Sequence, residues 1–190
     1  MWREKKFKKA LKQEYDETST RLHLFDLYVK MRNLKSAANQ LAEIEKISGK
    51  DDLLIFLDGY LKYRNDNAKD ALEAFEKTAA TIAEAKKNIA RIYYNNGDYQ
   101  RSLEVWQEIL SGSLEDKDAF IDSGRASFHL GDLEKAQEYF SKAGIETSPE
   151  KLSPKKVPLA YESQLKGIKF DLGSFLYSRS GRTLDPLHPE

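Results

Sequence analysis

Lys87 and Arg91 stand four residues apart, and Arg125 follows Arg91 by 34. Four residues is just over one helical turn, so the first two cations share a face of any helix that contains them. With the amides of Asn88 and Asn95 close by, this is a set that can grip a carboxylate through charge-assisted hydrogen bonds. Other chemistry is scarce. His23, His129 and His188 share no ligand spacing and read as packing or surface residues. The sequence holds no HExxH, GxGxxG, GxxxxGK or GxSxG pattern. It has no cysteine, which removes disulfides, thiolate zinc sites and a thiol nucleophile. With no nucleophile beside a base and no metal set, the sequence reads as that of a protein without catalysis, metal or cofactor.

Composition narrows the partners. Lys plus Arg and Asp plus Glu both number 31 in 190 residues, so no global charge argues for nucleic acid or an acidic membrane. Hydrophobic residues make up 40% and charged residues 33%, with ten Gly and five Pro, a balance that suits a folded and strongly helical chain. No run approaches the roughly 18 apolar residues that span a bilayer. The chain as given reads as soluble, which fits the cytoplasm, or the periplasm if a targeting signal has been removed.

The elements that must position the cations emerge from sliding the chain over itself. Asn96-Gly97-Asp98-Tyr99-Gln100-Arg101-Ser102 lines up with Leu130-Gly131-Asp132-Leu133-Glu134-Lys135-Ala136, an offset of 34. Unit starts fall at Thr18, Asp52, Ala83 and Lys117, which predicts four units over 18–51, 52–82, 83–116 and 117–150. Each unit reads as two helices with a turn between them. Small residues (Ala37, Ala71, Ser102, Ala136) recur early in the second helix, and a large apolar one (Leu41, Phe75, Trp106, Phe140) follows four places later on the same face. A lone unit cannot bury that face, so the units must stack. The register predicts that Trp106 is buried between the third and fourth units.

This pattern resembles the tetratricopeptide repeat (TPR). Ile89-Ala90, Tyr93, Ser102 and Trp106 carry the likeness in the third copy; Gly124, Ala136, Phe140 and Ala143 carry it in the fourth. The first copy departs from it with Phe25 where a small residue is usual, and the usual closing proline appears only at Pro149. The resemblance implies an all-α, TPR-type solenoid: a right-handed superhelix of antiparallel helix pairs. It also implies a concave groove, lined by the first helices, that holds a peptide or a helix. The residues expected to face it are Phe56, Tyr60, Tyr63, Arg64, Lys87, Asn88, Arg91, Tyr94, Asn95, Ile121, Arg125, Phe128 and His129. The family's carboxylate clamp fits badly, because Leu22, Asp26, Leu57, Glu84 and Asp122 stand at other clamp places.

Both ends depart from the repeat. Residues 1–17, with Phe7, Ala10 and Leu11 in register with Phe140, Ala143 and Gly144, read as a capping helix or the second half of a unit, and as a surface for self-association. Residues 151–190, which follow Pro149, read as a loop containing Pro154 and Pro158, a degenerate fifth unit that resumes helical spacing at Leu159, and an irregular tail.

The function expected from this reading is a non-catalytic scaffold that binds another protein in the groove, the partner being acidic or offering its C-terminus. The alternatives are a structural subunit packed by its ends and convex face into a larger assembly, and a chaperone for secreted substrates. A blander reading of the cations makes them a solvated face neutralised by Glu84, Asp118 and Asp122. Exposed pairs contribute about 0–1 kcal/mol, so truncating Arg91 and Arg125 would then leave folding nearly intact.

Overall fold

The structure, a computed structural model, describes residues 2–12, 17–113 and 115–166. Those residues form helices and connecting turns, with no strand among them. The chain divides into two compact units, residues 1–50 with 164–190, and residues 51–163.

In the first unit, α1 (Trp2–Leu11) and α3 (Leu34–Ser48) each pack against α2 (Glu17–Lys30). Ala10 is buried, the Phe7 ring lies 5.5 Å from the His23 ring, and the Tyr28 hydroxyl donates to Glu4 Oε1 at 3.1 Å. Phe25, the departure from the small-residue pattern, is fully buried.

The second unit holds three helix pairs: α4 (Asp52–Arg64) with α5 (Ala68–Thr78), α6 (Ala83–Asn95) with α7 (Tyr99–Gly112), and α8 (Lys117–His129) with α9 (Leu133–Lys142). Helix α5 packs on α6 and α7 on α8, so the pairs stack in series. The small-then-large rule is the packing rule: Ala71, Ser102 and Ala136 are wholly buried, as are Phe75, Trp106 and Phe140 four places on. The first helices supply matching gaps. A Cβ on Gly59 would come within 2.8 Å of Ala74 Cβ, and one on Gly124 within 3.0 Å of the Phe140 ring.

The turns inside the pairs share one solution. Arg32, Asp66, Gly97 and Gly131 all have positive φ, between 58° and 85°. Each is followed by a capping residue, Asn33, Asn67, Asp98 or Asp132, whose side chain accepts from the backbone N–H three residues on. The cap satisfies one of the orphan donors of the second helix, and the left-handed residue turns the chain into it. Asp66 is exposed and holds, at a cost, a conformation that Gly97 and Gly131 adopt freely. Left-handed backbone costs an L-residue about 1–2 kcal/mol, part of which glycine gives back as unfolded-state entropy. Asp66→Gly is therefore expected to stabilise the fold by about 0.5–1 kcal/mol, read as a higher urea midpoint.

After α9 come a single helical turn, α10 (Pro149–Leu152), a non-helical stretch over 153–161 with a bend at Lys155, and a 3-10 turn at Glu162–Leu165. This corrects the expectation that helix resumes at Leu159. Proline forces the residue before it out of helical backbone, which takes Ser153 and Val157 out of any helix. Side chains of α6 then hold the extended backbone in place. The rest of the expected fifth unit, with Phe170 to Gly173, and the tail with His188 lie outside the described residues.

Candidate peptide groove

The first helices of the three pairs present Tyr60, Tyr63 and Arg64 from α4, Lys87, Asn88, Arg91, Tyr94 and Asn95 from α6, and Ile121, Arg125, Phe128 and His129 from α8. The chain's own extended segment lies against them. Asn95 Oδ1 accepts from Val157 N at 2.7 Å while its Nδ2 donates to Val157 O at 2.8 Å. Asn88 does the same to Ala160, accepting from its N at 3.0 Å and donating to its O at 2.8 Å. Each carboxamide thus pairs with both backbone groups of one residue, as a neighbouring strand would. The Tyr94 hydroxyl donates to Pro154 O, and Arg125 Nε donates to Leu152 O at 2.8 Å.

The spacing explains the fit. Asn88 and Asn95 are seven residues apart, and that rise along a helix is roughly 10.5 Å. Val157 and Ala160 are three apart, roughly 9–10 Å of extended chain. The higher-numbered asparagine meets the lower-numbered partner, so the segment runs antiparallel to α6. Pro154 and Pro158 fall where no N–H is required of them.

Side chains add to the backbone contacts. Val157, Leu159 and Tyr161 are buried, whereas Lys155, Lys156 and Pro158 are exposed. Val157 joins a cluster with Tyr94, Leu103 and Ala126, and the Tyr161 ring lies 4.4 Å from that of Tyr60. Burial pushes the phenols of Tyr60 and Tyr94 above their ordinary pKa, so both stay protonated, and Tyr94 keeps the proton it donates to Pro154 O. Tyr63 OH accepts from Asn95 Nδ2 at 2.7 Å, and Arg64 Nη1 donates to Tyr60 OH at 2.9 Å. Two clefts flank Val157 and Pro158, one of about 350 Å³ toward Ile121 and Arg125, the other of about 440 Å³ toward Tyr63 and Arg64.

Several expected groove residues have other roles. Phe56 is wholly buried, its ring 5.3 Å from that of Phe75, so it belongs to the core and not to the groove surface. The His129 ring stacks on Tyr99 at 4.5 Å and meets Tyr94 and Phe128 edge-on. The three cations are tied within the chain. Lys87 pairs with Asp116 at 2.6 Å, Arg91 with Glu84 at 2.7 Å and Asp122 at 3.1 Å, and Arg125 with Asp122 at 2.6 Å. Arg91 is 8% exposed and Asp122 4%, so this is not a solvated face. Burial works to lower the Arg91 pKa, but the charges of Asp122 and Glu84 outweigh it and hold it above its ordinary value. No group of three or more metal-ligating side chains occurs among the described residues.

The site residues missed by sequence reasoning are those on the other side of the contact: Leu152, Pro154, Val157, Leu159, Ala160 and Tyr161. Pro154 and Pro158 mark this stretch as non-helical, but nothing in the sequence ties it to α6.

Comparison with solved structures bears on the fold. The chain is similar to MamA (20% identity, TM-score 0.56, covering 76% of this chain and 85% of that one). It is also similar to YrrB, a TPR protein with an unusual peptide-binding site (20% identity, TM-score 0.52, 72% of each chain). A tetratricopeptide repeat protein from Parabacteroides merdae aligns at 15% identity with a TM-score of 0.58, over 87% of this chain and 68% of that one. No protein-family model and no curated protein sequence matches. The fold is that of a tetratricopeptide-repeat protein, an all-α solenoid of helix pairs.

Proposed function

We propose that this protein is a non-catalytic interaction scaffold whose groove, built on α4, α6 and α8, holds an extended peptide of a protein partner. The observation that carries this reading is the pair of carboxamides, Asn88 and Asn95, each bonded to both backbone groups of one residue. Such pairing selects an extended backbone whatever its side chains, and main-chain hydrogen bonds then supply affinity. The described helices add a constraint on setting: none is long and apolar enough to cross a membrane.

The ligand's principal anchors are thereby the two amides, with Arg125 Nε adding a bond to the backbone at Leu152 O while its charge stays paired with Asp122. A carboxylate would have to displace Asp116, Glu84 or Asp122 from Lys87, Arg91 or Arg125, whereas an extended backbone needs only the places now taken by Val157 and Ala160. Binding through neutral amides is expected to depend weakly on salt; an acidic peptide gripped by cations would lose affinity steeply.

The test uses the full chain with its own segment weakened by Val157→Lys and Tyr161→Ser, and a labelled peptide of residues 152–163 (LSPKKVPLAYES). Fluorescence anisotropy is expected to show saturable binding, reduced about tenfold or more when Asn88 and Asn95 are also changed to Ala, with little change on adding salt. Each lost hydrogen bond contributes about 1 kcal/mol, and four are removed. Binding indifferent to both asparagines would reject the groove, and a steep salt dependence would return the cations to the ligand.

A further inference from the structure

The segment in the groove carries more information than its presence. Ser153-Pro154 and Val157-Pro158 pre-extend it, since each proline restricts its own φ and the residue before it. Among its larger side chains Val157, Leu159 and Tyr161 face protein, while Pro154, Lys155, Lys156 and Pro158 face water; Ser153 is buried and Ala160 half-buried. Its fixed points are two backbone clamps, a wall formed by Tyr94, Leu103 and Ala126 against Val157, and the Tyr60 ring against Tyr161. The clefts on either side of Val157 and Pro158 show that the groove is wider than its occupant.

We propose that residues 153–161 are a tethered stand-in for the partner, and that they spell its recognition motif. That motif is an extended peptide, antiparallel to α6, with an aliphatic residue followed by proline, a second aliphatic residue, a freely chosen residue and then an aromatic one. This rests on the groove reading above and deepens it by naming the partner's chemistry. The tether follows α10 directly, so the stand-in is present at an effective concentration on the order of millimolar. A partner peptide must outcompete it, and the protein therefore discriminates against weak or unpatterned extended chains. The open clefts give a true partner the means, because larger side chains flanking the first aliphatic place gain surface that the chain's own segment leaves uncovered.

Two measurements test this. In the first, peptides derived from LSPKKVPLAYES are titrated by anisotropy against the parent and against the Val157→Lys, Tyr161→Ser chain. Replacing the peptide's Val, Leu or Tyr with Ser is expected to weaken binding about tenfold or more. Replacing either Lys should change it less than about threefold, and the parent should bind about 10–100-fold more weakly than the variant. Equal affinity for parent and variant would show that the segment does not compete. Asparagine-dependent binding with no preference at the three positions would overturn the motif while leaving the groove reading intact; asparagine-independent binding would overturn both. The second measurement avoids any folding defect of the variant. Hydrogen exchange on the parent, with and without excess LSPKKVPLAYES, should show the amides of Val157 and Ala160 in the chain exchanging faster when peptide is added. Unchanged protection at saturating peptide would reject the stand-in.

Discussion

Trp106→Ala is expected to lower the unfolding free energy by about 3–5 kcal/mol, the range for deleting a fully buried tryptophan. The indole is wholly inaccessible and clusters with Ala90, Leu110 and Ala119, filling the space between the second and third helix pairs of the larger unit. Ala90 and Ala119 carry only a methyl group each, so they cannot reach into the volume it vacates. The Arg91 guanidinium lies 5.6 Å from the ring centroid and loses that face as well. The control is Trp106→Phe. Phenylalanine occupies the equivalent places at Phe75 and Phe140, and it sheds an indole N–H that has no hydrogen-bond partner among the described residues. It is therefore expected to cost much less than alanine. In a chain of this size each kcal/mol shifts the melting temperature by roughly 2–4 °C, so calorimetry separates the two. If both variants melted with the parent, the stacking register would be misassigned.

What the sequence disclosed and what it hid divide along physical lines. The helix pairs were legible because a close approach needs a small residue and the gap needs a large one, and both recur at fixed spacing. Asn88, Asn95, Tyr60 and Tyr94 could be assigned to one face of the first helices for the same reason, and on that face they meet residues 154–161. Phe56 shares the face of Tyr60 four residues on, so the register could not separate them; only the structure shows Phe56 wholly buried against Phe75. The occupant of the groove was not legible. Asn88 meets Ala160 across 72 residues, and no periodicity relates a helical asparagine to a proline-flanked extended segment. Helical spacing after Leu159 even pointed the other way, because it ignores what Pro158 does to Val157 and what α6 offers the backbone.

The charges make the same point. Glu84 and Asp122 were visible as neighbours of the cations, but their burial was not, and burial reverses the expected consequence of truncation. Lys87 with Asp116 shows the opposing effects on one pair. Burial raises the Asp116 carboxyl, yet the Lys87 ammonium and the Ala119 N–H outweigh it and hold the group below its ordinary value. A carboxyl depressed in the fold contributes stability that is present above its unfolded pKa and lost as pH falls through the folded one.

Arg91→Ala is expected to destabilise the protein by about 3–5 kcal/mol, although a solvated cation would have been nearly neutral. Arg91 Nε bonds Asp122 and its Nη1 bonds Glu84, so one planar fork holds two carboxylates from different helices. Without it, Asp122, 4% exposed, keeps only Arg125, and Glu84 loses its ion-pair partner. The penalty comes mainly from charge left buried without compensation, which is why removing one partner exceeds what the pair itself contributes. Arg91→Lys is expected to recover only part of the loss, because a single ammonium cannot reproduce two directed bonds to separate acceptors. Paired urea titrations of the parent and the two variants at neutral pH measure the loss. A gap that is small for Arg91→Ala, or equal for Arg91→Ala and Arg91→Lys, would mean the fork is not what holds α6 to α8.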